Sequence, residues 1–240
     1  MINNLEEYRI GIAIGIRFRA NFSLEDQLGN IVDQILYGRD SFFGPRVFPS
    51  VISKVNEKVL VNDSSMDHLV INNSNIILEV NYGETFHQSD LAMLLQSFNN
   101  AIIDGVMKKY RVTEVNRVGL IYRYLFKLDK LADTFIDKTI GATLEGINDI
   151  NLRFSKKVPV PESLVKKGVN DYDNVIFNVI KRANKQELFM SVDYQKYFDP
   201  FLTSASEIEF ENFVKKADSF NSGNYLNWLN KNYGVLNEKK

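Results

Sequence analysis

One alternating stretch of chain occurs twice, and it constrains the fold more than anything else in the sequence. From Tyr8 to Arg19 the residues Tyr8, Ile10, Ile12, Ile14, Ile16 and Phe18 fall on one side, and Arg9, Gly11, Ala13, Gly15, Arg17 and Arg19 on the other. A period of two with β-branched residues on one face predicts a strand that is buried on one side only. The pattern returns at Arg117–Lys127, at an offset of 108 (117 − 9). A second pair of stretches, Ile76–Tyr82 and Leu188–Tyr194, matches in the same order at an offset of 112 (188 − 76). Repeated segments in conserved order predict an internal duplication. We read residues 1–111 as a first unit and 112–240 as its diverged copy, packed as one compact body.

The segments between these strands give the unit its plan. Ser23 stands at a helix start, followed by Leu24, Leu28, Ile31, Val32, Ile35 and Leu36 at helical spacing and by Gly38 as a stop. Short strands are predicted at 47–55, 58–61, 69–72 and 76–82, with Asn72–Asn75 as a hairpin turn. A long helix capped by Ser89 carries Leu91, Leu94, Leu95, Phe98, Ile102 and Val106 on one face. In the second unit a short helix is predicted at 131–140, strands at 150–154, 175–181 and 188–194, a loop at 155–173 and a terminal helix at 206–228. The expected fold class is therefore α+β: two tandem β-α-β-meander-α units, with curved antiparallel sheets packed on long helices. Ile12, Ile14, Phe98, Leu120 and Tyr122 are expected in the core.

Composition removes several kinds of chemistry. The sequence has no cysteine, which excludes disulfides, thiolate metal sites and cysteine nucleophiles and fits a cytoplasmic setting. No apolar run is long enough for a membrane helix, and the N-terminus lacks a signal-peptide pattern. With a formal net charge of −1 the chain has no global attraction for nucleic acid or anionic lipid, so a basic site has to be local. The two histidines, His68 and His87, lack the surrounding ligands that a metal needs. No Gly-x-Ser-x-Gly, phosphate-cradling glycine loop or His-Glu-x-x-His occurs. The carboxylate run near Asp193 and Lys196 has no acidic counterpart in the first copy and reads as surface. No catalytic residue, metal or cofactor is assigned, and the chain is read as a non-enzyme.

Two sets of residues are candidates for binding. Arg9, Arg17, Arg19, Arg117, Arg123 and Lys127 share the outward side of the repeated strands, with the small residues Gly11, Ala13, Gly15 and Gly119 between them. Such a face admits phosphates or an acidic partner. Alternatively, Glu79 and Asp193, on matching strands, neutralise it from within. The second set is Phe42, Phe43, Arg46 and Phe48, in a turn-rich segment. Loop aromatics beside an arginine anchor protein partners, and they serve equally well as a plug for the core.

The element order resembles TATA-binding-protein-like and helix-grip folds, although no residue of a TATA-binding-protein motif is present. The string Val115-Asn116-Arg117-Val118-Gly119-Leu120-Ile121-Tyr122-Arg123-Tyr124 resembles a strand of a sporadically distributed family of uncharacterised bacterial proteins of about this length. Leu125 stands where that family has Asn. The resemblance implies no known chemistry, and patchy distribution of this kind accompanies defence and toxin systems, antiviral ones included. The expected function is binding, through a protein partner or self-association, with nucleic-acid binding by the basic face as the alternative.

Overall fold

The computed structural model describes residues 2–38, 43–127, 149–158, 168–181 and 187–233. Its strands are β1 (Arg9–Phe18), β2 (Ser50–Lys54), β3 (Glu57–Asn62), β4 (Asp67–Asn72), β5 (Asn75–Asn81), β6 (Val115–Lys127), β7 (Ile150–Val158), β8 (Tyr172–Lys181) and β9 (Glu187–Leu202). They form one open antiparallel sheet in the order β2-β3-β4-β5-β1-β6-β9-β8-β7. The strand repeated in the sequence thus pairs with its own copy. Ala13 is both the counterpart of Ile121 at the offset of 108 and its partner in the β1–β6 ladder, so the axis relating the two units passes between them. Outward from that axis lie β5, β4 and β3 on one side and β9, β8 and β7 on the other.

The helices repeat the plan. The first unit has α1 (Phe22–Asp26), α2 (Leu28–Tyr37) and α3 (Leu91–Phe98), which runs on as a π-helix over Asn99–Lys108. The second ends in α4 (Phe210–Ser219), π-helical turns over Phe220–Tyr225, and α5 (Leu226–Tyr233). In both units the long helix widens into π form after its first α-helical segment, eight residues in one and ten in the other. The chain is α+β, built as tandem β-α-β-meander-α units.

Local starts differ from the sequence reading. The first helix is capped by Asn21, whose side chain accepts the Leu24 N–H at 2.9 Å, and not by Ser23. Asn21 is in extended conformation, which leaves Ser23 inside the first turn. The long helix is preceded by a 3-10 turn, Gln88–Asp90, where His87 and Asp90 cap each other reciprocally in place of Ser89. Strands claim Ser155–Val158 and Tyr172–Asp173 at the ends of the predicted loop at 155–173, and 159–167 lies outside the described residues. The helix expected at 131–140 lies outside the described residues.

Each described helix places its buried apolar residues in one cluster with Ile12, Ile14, Ile16, Leu78, Leu120 and Met190 of the sheet. Ile12, Ile14, Phe98, Leu120 and Tyr122 are fully buried, as the alternation required. One residue departs from it. Arg9 is buried on the helix-covered side, because a bulge between Arg9 and Gly11 inserts Ile10 as an extra residue and turns Arg9 toward Tyr122 and Tyr124. Gly11 suits this irregularity: a Cβ there would lie 2.4 Å from the Val80 carbonyl oxygen.

Candidate functional site

The sheet's other face carries no helix-borne core among the described residues. Val59, Val70, Ile77, Ile121, Leu125 and Phe189 point to it, are half-buried, and stand apart from the hydrophobic cluster. The ladders align a row across all nine strands on this face: Ile52, Val59, Val70, Ile77, Gly15, Gly119, Gln195, Asn174 and Lys157. It is apolar through the first unit, bare at its centre and polar through the second. The neighbouring row places Arg17 directly opposite Arg117, followed by Tyr197 and Tyr172.

The predicted basic residues divide. Arg17 is exposed and makes no ion pair among the described residues. Arg117 lies over the Tyr197 ring, 5.8 Å from its centroid, and donates to the Tyr197 hydroxyl at 3.4 Å. Arg123 forms an ion pair with Glu79, which also lies 3.7 Å from His68. Arg19 reaches Glu114 at 2.9 Å at the exposed end of β1. Lys127 is exposed and sits opposite Glu187. Arg9 belongs to the other face, as described above.

Asp193 completes the charge pattern. It accepts from Gln195 at 2.5 Å, and burial pushes its pKa up to about 6 against the opposing fields of Arg117 and Arg153. Internal neutralisation by Glu79 and Asp193 is therefore present, though only partial. Asp193 and Lys196 point to opposite faces of β9, since Lys196 reaches Asp171 at 3.9 Å on the helix side. They do not form one acidic–basic site.

The aromatic segment is not an exposed anchor. Phe43 and Phe48 are fully buried, with ring centroids 6.1 Å apart, and pack into the chain's own core. This corrects the partner-anchor reading in favour of the plug, because apolar rings under a turn gain most by joining the adjacent core. Arg46 is exposed, and Phe42 lies outside the described residues.

Two features were not legible in the sequence. At the junction of the units, Tyr124 accepts from Asn221 at 2.6 Å, Tyr122 donates to Asp218, and Arg9 lies within 3.4 Å of Glu6. Burial raises the pKa values of Tyr82, Tyr122 and Tyr124, which keeps these hydroxyls protonated. The π-helical turn that brings Asn221 to Tyr124 breaks the 3.6-residue period from which its orientation would have been read. The second feature is a cleft of about 920 Å³ between the end of β9 and α4, lined by Asp171, Tyr172, Lys196, Phe201, Glu207 and Lys216 among others. Several of its polar groups are already engaged: Lys196 with Asp171, Thr203 with Glu207 at 2.6 Å, and Asp173 with Tyr194 behind it at 2.8 Å.

Among the described residues no group of histidine and carboxylate side chains is arranged to hold a metal, and no helix is long and apolar enough to cross a membrane. No protein-family model matches the chain, and no curated protein matches it at a significant level.

Proposed function

We propose that this chain is a non-enzymatic interaction module that binds a partner protein, or a second copy of itself, through the sheet face that no described helix covers. The observation that carries this reading is the row Ile52, Val59, Val70 and Ile77, apolar and outside the core on a face where alternation would ordinarily place polar residues. Contiguous apolar surface of this kind marks interaction sites. Ile52, at 50% exposure, carries it to the edge strand β2, and Val55, at 94%, follows in the turn after that strand.

Capture from the native host with wild type and with a Val70→Asp/Ile77→Asp variant tests the reading, with sedimentation reporting self-association. The variant should fold and lose complex formation at least tenfold, the effect of removing a central apolar contact. Equal complex formation by both proteins counts against it.

Nucleic-acid binding is the second reading, favoured by Arg17 at the axis and by Arg117, Arg153 and Lys157 on the second unit's share of the face. Against it, Glu79 and Asp193 lie in the same field. Affinity that falls steeply with salt and is lost when Arg17 and Arg117 are replaced would establish it in place of the first. On the resemblance of residues 115–124 alone, we extend the first reading to a cytoplasmic accessory role in a bacterial defence or toxin-type system; the neighbouring genes test that extension.

A further inference from the structure

Resting on the interaction-module reading, we propose that the partner presents an acidic protein segment and that Arg17 and Arg117 together seat one of its carboxylates. The two arginines are direct cross-strand partners on this face, an unfavourable arrangement of like charges that Asp193 offsets only at Arg117. Arg117 is held in place. Its guanidinium lies over Tyr197, whose ring stacks on Tyr172 at 4.8 Å and 6°, and Lys157 closes the column 4.3 Å from the Tyr172 centroid. Arg17 is exposed beside it and makes no ion pair among the described residues. A planar fork on each side suits a carboxylate, which accepts two N–H donors from each.

The surroundings select the kind of ligand. The next row toward the sheet centre is the Gly15–Gly119 pair, and a Cβ at Gly15 would meet only Ile77 Cγ1, at 3.7 Å. Above Gly119 the Asp193 carboxylate and Gln195 would lie 3.5 and 3.8 Å from a Cβ, so a main chain can lie close to the sheet over Gly15. One strand further on, the apolar row begins at Ile77 and continues to Val70. A segment crossing the strands places an acidic side chain on the arginines and apolar side chains on that row. Nucleic acid fits less well: Tyr172 and Tyr197 use their facing surfaces on each other and their outer ones on cations, so they offer no free ring for base stacking.

The probes are a labelled peptide alternating Glu and Leu, its Lys–Leu counterpart, and an oligothymidylate of equal length, each followed by fluorescence anisotropy. The Glu–Leu peptide should bind wild type at least tenfold more tightly than it binds Arg17→Glu/Arg117→Glu, and more tightly than either other probe binds wild type. Arg17→Glu alone should raise the unfolding midpoint, because it converts an opposed like pair into a complementary one. Tighter binding of the oligothymidylate would replace the acidic segment with nucleic acid and overturn the proposal. So would peptide affinity equal in wild type and double variant, or a midpoint lowered by Arg17→Glu. Partner capture lost in Val70→Asp/Ile77→Asp but kept in Arg17→Glu/Arg117→Glu sinks this inference and leaves the module reading intact; capture kept in both sinks the two together.

Discussion

The two units share one plan yet differ on the uncovered face, where the first presents Ile52, Val59, Val70 and Ile77 and the second presents Asn174 and Lys157, beside the buried Gln195, in the same row. On the covered face they agree: Leu78 of β5 and its counterpart Met190 of β9 are both fully buried. Packing against helices fixes size and polarity at every second position. The uncovered positions carry no such demand, so copies of one strand can diverge there without loss of fold. Along this one row a division of binding labour can arise, apolar in the first unit and polar in the second, while Ile121, Leu125 and Phe189 keep apolar side chains elsewhere on the second unit's share.

The largest effect should separate the two faces. Leu78→Ala and Met190→Ala should each cost roughly 2–5 kcal/mol in chemical unfolding, through lost transfer energy and an unfilled cavity. Ile77→Ala and Phe189→Ala, one position along, should cost about 1 kcal/mol or less, since these side chains are already partly hydrated. Equal costs on the two faces would break the distinction.

Next in size is a difference between the units. The folded-state pKa of Asp193 lies above that of a free carboxylate, so its ionised form opposes folding above about pH 6, and the penalty is relieved as pH falls from 6 toward 4. Asp193→Asn should therefore stabilise the protein at pH 8 by roughly 1–3 kcal/mol, with the gain vanishing below pH 4. In the first unit the sign reverses. Glu79→Gln removes the ion pair with Arg123 and should destabilise by about 1 kcal/mol or less, the scale of a partly exposed pair. Denaturant titrations at pH 4 and pH 8 read both; a destabilising Asp193→Asn at pH 8 would contradict the burial cost assigned here.

Legibility followed the same division. The covered face could be read because Ile12, Ile14 and Leu120 repeat at the strand period and burial enforces that period. Arg9 was misplaced because a bulge shifts the phase by one residue, and nothing in a run such as Arg9-Ile10-Gly11 separates a bulge from a regular strand. Phe43 and Phe48 were ambiguous because a loop has no period to say whether a ring points in or out. Glu79 and Asp193 were placed on the right face, since their phase along β5 and β9 is undisturbed. The opposition of Arg17 and Arg117 needed the ladder itself: an offset between copies says which residues correspond, and says nothing of which strands pair.

The absence of cysteine allows a direct measurement of the uncovered face. Single substitutions Ile77→Cys, Ile121→Cys, Leu78→Cys and Leu120→Cys, labelled with a maleimide under native conditions, sample both faces at adjacent positions of β5 and β6. Ile77→Cys and Ile121→Cys should react at least a hundredfold faster than the other two, and a bound partner should slow them while leaving a cysteine at exposed Arg46 unaffected. Cysteines at 77 and 121 as protected in the free protein as those at 78 and 120 would show that this face is already covered and is not the binding surface.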